Sequence, residues 1–77
     1  MRLEKWIIHN CGSWAYASGF VHDNPKFKDG DFIETSWIRA YSLTEKKLTT
    51  RNSVYELGAP ASEFTPPRDE DVICMSG

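Results

Sequence analysis

Thr35, Trp37, Arg39 and Tyr41 recur at every second position of the segment "DFIETSWIRAYSL". An extended strand places alternate side chains on one face, so this spacing gathers a hydroxyl, an indole, a guanidinium and a phenol. Arg51, Ser53 and Tyr55 repeat the same period in "LTTRNSVYELG". Arginine forks match phosphate oxygens, and aromatic faces stack on nucleobases. The candidate ligand-binding set is therefore Thr35, Ser36, Trp37, Arg39, Tyr41, Arg51, Asn52, Ser53 and Tyr55. In this set Arg39 and Arg51 take phosphates, and Trp37, Tyr41 or Tyr55 stacks on a base. Thr35, Ser36, Asn52 and Ser53 tune the hydrogen bonds. The same residues also have a purely architectural reading, with Trp37 in the core and both arginines in solvent. Strand register decides between the two, and the sequence leaves register open.

Other chemistries find less support. His9 and His22 have no nucleophile at a recognisable spacing, and Cys11 with His22 is too unspecific a pair to assign. Asp29 and Asp31 flank Gly30 and read as turn residues. His9, Cys11, His22 and Cys74 are zinc-type ligands, yet they form no Cys-x-x-Cys or comparable cluster. "KDGD" and "NCGS" hold one glycine each, which is not a phosphate loop. The expectation is a protein that is not an enzyme and that uses no metal and no cofactor.

Strand signals dominate the elements that must position these groups. "LEKWIIHN" is a short apolar segment that ends at an Asn-Cys-Gly-Ser turn. In "WAYASGFVH", Trp14, Tyr16, Ser18, Phe20 and His22 share one face, and Ala15, Ala17, Gly19 and Val21 share the other. A face of alanine and glycine admits close approach by another backbone. "DNPKFKDG" is turn chemistry, because Asn24 precedes Pro25 and Asp29-Gly30 offers a left-handed position. "DFIETSWIRAYSL" then predicts a long strand, with a turn near Thr44–Lys47 and "LTTRNSVYELG" as its hairpin partner, bulged at Asn52-Ser53. The expected fold is all-β: a small antiparallel sheet curled into a barrel or roll, with an irregular C-terminal arm. Residues 1–58 form the β domain. Residues 59–77 form a Pro-rich acidic arm that packs on the domain or on a partner chain, with Phe64 as its anchor.

A chain of 77 residues makes one small domain that buries only about 60–65% of its unfolded surface. Cys11 and Cys74 allow at most one bridge, and no signal peptide or bilayer-length apolar run is visible. A cytoplasmic protein with free thiols follows, for which self-association is the added source of stability. Residues 1–58 carry a charge balance of +1 and residues 59–77 one of −3. Duplex DNA needs many phosphates met at once, so this near-neutral body argues against it. A local cationic pocket for one small anion remains open.

The run "NPKFKDGDFIETSWI", followed by "LTTRNSVYELG", resembles small proteins of bacteriophages and mobile elements. In those, a Pro-x-Phe-x-Asp-Gly loop precedes an Ile-x-Thr-Ser strand, and a Thr-rich strand ends in Tyr-x-Leu-Gly. The matching residues are Pro25, Phe27, Asp29, Gly30, Ile33, Thr35, Ser36, Tyr55, Leu57 and Gly58, over the middle half of the chain. The resemblance brings no catalytic or binding residue with it. By analogy of context it implies a counter-defence factor acting in a host cytosol. The expected form is a homo-oligomeric sponge for a nucleotide immune signal, such as a cyclic dinucleotide or an ADP-ribose derivative. The competing expectation is a protein–protein inhibitor of a host defence enzyme, similar to an anti-CRISPR. A small single-stranded nucleic-acid-binding barrel is the third.

Overall fold

Leu3, Trp6 and Ile8 are the apolar residues that the first strand must bury, and their spacing is irregular. Strict alternation from Leu3 would bury Lys5 and expose Trp6. The computed structural model, which describes residues 1–74, solves this with a β-bulge in strand β1 (Arg2–Asn10). Glu4 lies opposite Phe20, and Ile7 lies opposite Ser18, so Lys5 and Trp6 share the place facing Gly19. The extra residue turns Trp6 into the core at 1% exposure and leaves Lys5 outside. Lys5 accommodates the bulge with φ 51°, a left-handed conformation uncommon outside glycine.

Strand β2 (Ala15–His22) follows through a turn in which the Cys11 N–H donates to Trp14 O at 2.8 Å and Gly12 takes φ 83°. The expected alternation is present. Ala15, Ala17 and Val21 are fully buried, and Tyr16, Phe20 and His22 face outward. Gly19 lies beneath the bulge. A Cβ there would meet Glu4 O at 2.9 Å and Trp6 Cα at 3.1 Å.

The loop 23–30 is a turn, as Pro25 and Asp29-Gly30 predict. Gly30 takes φ 87°, and the Lys26 N–H donates to Asn24 Oδ1 at 2.8 Å. Strand β3 (Asp31–Glu34) pairs antiparallel with β2, and β4 (Ile38–Ser42) pairs antiparallel with β5 (Lys47–Thr50). The β4–β5 hairpin turns within residues 43–46, at the predicted place. Strand β6 (Val54–Leu57) pairs antiparallel with β5, and runs parallel to β1 through Arg2↔Glu56 and Leu3↔Leu57. The strand order is β3-β2-β1-β6-β5-β4.

The fold is therefore all-β, with two corrections to the expected sheet. It is one mixed sheet because of the parallel β1–β6 pair, and it is not closed into a barrel. "LTTRNSVYELG" is two strands rather than one bulged strand. The Thr50 hydroxyl accepts from Ser53 N–H and donates to Ser53 O, each at 3.2 Å, and this folds residues 51–53 into a turn. Residues 35–37 likewise interrupt the long predicted strand and carry the chain from one sheet edge to the other.

The segment after Gly58 lies along the sheet. Lys5 N–H donates to Ala59 O at 2.7 Å, and Ala61 N–H donates to Trp6 O at 3.1 Å. Phe64 packs edge-on against Trp6, with ring centroids 5.8 Å apart. Farther along, Tyr41 Oη donates to Pro67 O at 2.9 Å, and Leu43 N–H donates to Asp69 Oδ1 at 2.8 Å. The predicted arm extends to residue 77, and residues 75–77 lie outside the described residues. Cys11 and Cys74 are both free thiols. Among the described residues, no helix is long and apolar enough to cross a membrane.

The contact at Gly19 is backbone against backbone, so no side-chain rotation can relieve it. Gly19→Ala is expected to cost about 1–3 kcal/mol, as overpacking of a filled core does. Urea unfolding measures this. A variant midpoint equal to the wild type would contradict the bulge geometry.

Candidate functional site

The bend at residues 35–37 and the turn at residues 51–53 meet at one end of the sheet. Arg51 N–H donates to Trp37 O at 3.2 Å, which ties the two segments together. The Arg51 guanidinium lies over the Trp37 ring, 4.9 Å from its centroid, within cation–π range. Beside this stack is a cleft of about 120 Å³, with Thr35, Ser36, Asn52, Ser53 and Tyr55 on its walls and Lys26 and Glu34 also lining it. Five of the nine predicted residues thus line one cleft, and Trp37 and Arg51 adjoin it in the chain.

The route to this convergence differs from the predicted one. Strict alternation does not hold across residues 35–41, because the β4–β5 register shifts between Ile38 and Ala40. Arg39 is exposed on β4, and it is absent from the cleft walls. Tyr41 is turned inward at 7% exposure, edge-on to Trp6 with centroids 6.3 Å apart, and its hydroxyl is occupied by Pro67 O. Tyr55 is buried at 5% exposure, so it closes the floor of the cleft and offers no stacking face. Arg51 and Ser53 belong to a turn rather than to one face of a strand.

The polar groups at the cleft divide into two kinds. Thr35 Oγ1 accepts from Ala17 N–H at 3.0 Å and donates to Ser36 O at 2.8 Å. Thr50 is spent in the same way on Ser53. Ser36 Oγ and Trp37 Nε1, by contrast, are buried and have no hydrogen-bond partner. A buried donor left unsatisfied costs about 1–3 kcal/mol, so these two atoms are the least explained feature of the molecule.

The outer face of the sheet carries a second group of chemical residues, which the sequence reading did not assemble. His9 stacks on Tyr16 at 4.6 Å between centroids, and its Nε2 is 2.8 Å from Ser18 Oγ. The Tyr16 hydroxyl is held above its ordinary pKa, mainly by desolvation and then by the Glu34 carboxylate. Ser18 is only 4% exposed, which gives its hydroxyl no open approach for an electrophile. The pair serves to satisfy a buried hydroxyl. Strand register would have revealed it, since His9 and Tyr16 are direct partners across the β1–β2 hairpin.

At the far end of β2, Asp29 holds the loop. Its carboxylate accepts from Asp23 N–H at 2.9 Å and lies 3.2 Å from His22 Nδ1. These bonds, led by the Asp23 N–H, hold the Asp29 carboxyl below its ordinary pKa. Among the described residues, no group of three or more His, Cys, Asp or Glu side chains is arranged to hold a metal ion. No family model, curated protein or solved structure matches this chain.

Tyr41 supplies a test of which predicted residues belong to the architecture. Its pKa is pushed up to about 12, first by burial and then by the Asp69 carboxylate. The folded state favours the neutral phenol. Its contribution is whole below the ordinary value of 10.0 and is lost as pH rises toward about 12. Tyr41→Phe is expected to cost about 1 kcal/mol at neutral pH, the worth of one buried hydrogen bond. It should also flatten the loss of stability in strong alkali. Equal urea midpoints for the two proteins at neutral pH would show that the Tyr41–Pro67 bond holds nothing.

Proposed function

We propose that this chain is a non-enzymatic binding protein for a small anionic nucleotide, with the ligand held at the crossover between β3 and β4. The observation that carries this reading is the pair of unpartnered buried atoms, Ser36 Oγ and Trp37 Nε1, beside the Trp37–Arg51 stack. A hydroxyl, an indole N–H and a guanidinium together suit an anionic, hydrogen-bonding ligand. The cleft of about 120 Å³ is well below the roughly 300–1,000 Å³ of a full ligand pocket. It accepts one phosphate-sized group, and the base then lies across the rim on the Trp37–Arg51 platform. Lys26 adds a second cation to the wall, and Glu34 sets a limit on how much negative charge enters. A binder without turnover acts on its ligand by mass action alone. Sequestration of a nucleotide signal is the biological form this reading takes, and it is the form implied by the resemblance of "NPKFKDGDFIETSWI" to phage accessory proteins.

A second reading rests on a different surface. Trp14, Phe20 and Phe32 are exposed at 39%, 37% and 60% on or beside the outer face of β2 and β3. Exposed aromatics of this kind are the anchors of protein interfaces, which favours an inhibitor that docks on a host enzyme.

Calorimetric titration with cyclic dinucleotides and ADP-ribose derivatives separates the two. Binding at micromolar concentration is expected for the wild type. Arg51→Ala should weaken it about ten- to a hundred-fold, the value of a hydrogen bond to a charged group. Arg39→Ala should leave it unchanged, since Arg39 lies off the cleft. Absence of any nucleotide binding at that concentration removes the first reading and leaves the docking face.

A further inference from the structure

A separate pocket of about 210 Å³ lies at the β1 bulge, lined by Glu4, Lys5, Phe20, His22 and Gly30. The bulge aims Lys5 into this place. Its backbone is held at φ 51° by the bond from its N–H to Ala59 O, and its Nζ lies 5.9 Å from the centroid of the Phe20 ring. Bulges re-aim single side chains in this way beside functional sites.

Glu4, the carboxylate on the pocket wall, and Asp29, the partner of His22, are already engaged. Glu4 pairs with Arg2 Nε at 2.7 Å and accepts from Ala59 N–H at 2.8 Å. Asp29 takes the His22 Nδ1 side and the Asp23 N–H. The ion pairs among the described residues, Arg2–Glu4, His22–Asp29 and those of Arg68, leave out Lys5. With Nδ1 engaged by Asp29, Nε2 is the ring nitrogen that His22 has left for a ligand. The floor is the half-exposed Phe20 ring, fixed by the edge-on Phe32 ring at 5.3 Å. The pocket thus joins an ammonium without a carboxylate partner, one imidazole nitrogen and an aromatic platform.

We propose that this pocket binds a phosphomonoester on an aromatic carrier, with Lys5 and His22 at the phosphate and Phe20 under the ring. A compact ammonium binds phosphate as a point charge. The pocket volume suits a phosphate with one ring rather than a whole dinucleotide. This site is independent of the crossover cleft, and it stands or falls without it.

The test is amide-resolved NMR titration of the full chain with inorganic phosphate, phenyl phosphate and benzoate. Saturable shifts at Lys5, Phe20, His22 and Gly30 are expected with both phosphates. Phenyl phosphate should bind about two- to ten-fold more tightly than inorganic phosphate, the worth of one aromatic contact. Lys5→Gly is the decisive variant, because glycine adopts the left-handed backbone freely. Its melting temperature should equal or exceed that of the wild type, and its phosphate affinity should fall about ten-fold or more. Three outcomes would overturn the proposal: no saturable shifts at millimolar phosphate, wild-type affinity in folded Lys5→Gly, or benzoate binding as tightly as phenyl phosphate.

Discussion

Trp6 must enter the core from a position that a regular strand would leave outside, and the rest of the architecture accommodates that demand. Its ring is held from three sides. Nε1 donates to Gly58 O at 2.9 Å, Tyr41 packs on one edge and Phe64 on another. These partners come from β4, from the end of β6 and from the C-terminal arm, all far from Trp6 in sequence. The bulge that turns Trp6 inward consumes one residue of β1 and requires an opposing residue with no side chain. Gly19 supplies that space. The bulge also sets Lys5 in a left-handed conformation and leaves its N–H to find Ala59 O. One misfit of spacing between Leu3 and Trp6 thus explains a glycine, a strained lysine and the path of the chain after Gly58.

The same misfit separates the two halves of the sheet. β1 pairs with β2 over most of its length, but meets β6 only through Arg2↔Glu56 and Leu3↔Leu57 before the bulge ends the ladder. Parallel pairing this short does not by itself hold two hairpins together. Trp6 and the arm complete the join, through the bonds to Ala59 and Ala61. The arm also reaches β4 and the turn after it, through the Tyr41 hydroxyl on Pro67 O and the Leu43 N–H on Asp69. Asp69 of the arm is thereby fixed at the β4–β5 turn, where it accepts from Leu43 N–H.

Much of this was legible in the sequence, and what was not has identifiable causes. The β2 alternation was readable because Ala15, Ala17 and Val21 oppose Tyr16, Phe20 and His22 without interruption. The loop at Asp29-Gly30 was readable because its residue types favour particular backbone angles, and the turn before Lys47 because a polar run separates two strand-forming segments. The bulge was hidden, since "LEKWIIHN" looks like a plain apolar strand until a partner register is known. The turn at residues 51–53 was hidden for another reason. It is held by a threonine hydroxyl bonding its own loop, with neither Gly nor Pro to announce it. At the crossover, Ser36, Asn52 and Ser53 line one cleft, although only Ser53 belongs to a period-two set and Ser36 and Asn52 fall between its members. They meet because two bends meet, not because two strand faces coincide. Tyr41 was misplaced by the period-two argument, since one irregularity between Ile38 and Ala40 is enough to reverse the face of every residue after it.

A useful distinction among the crossover residues is between polar groups that the fold consumes and those it does not. Thr35, Thr50 and Tyr41 each complete a backbone bond that the bend, the turn or the arm requires, so their loss would be felt first as instability. Ser36 and Trp37 are only partly buried, yet their polar atoms are enclosed and complete nothing within the chain. A protein this small has little stability to spare, and two unsatisfied buried groups are a substantial charge against it. The adjacent arginine gives the pair a direction, because its guanidinium is already desolvated on one side by the indole beneath it. The other side of that guanidinium is exposed, and the two unsatisfied atoms lie enclosed in the neighbouring segment. That combination is what separates this end of the sheet from the aromatic outer face, whose one buried polar pair, His9 with Ser18, is satisfied internally.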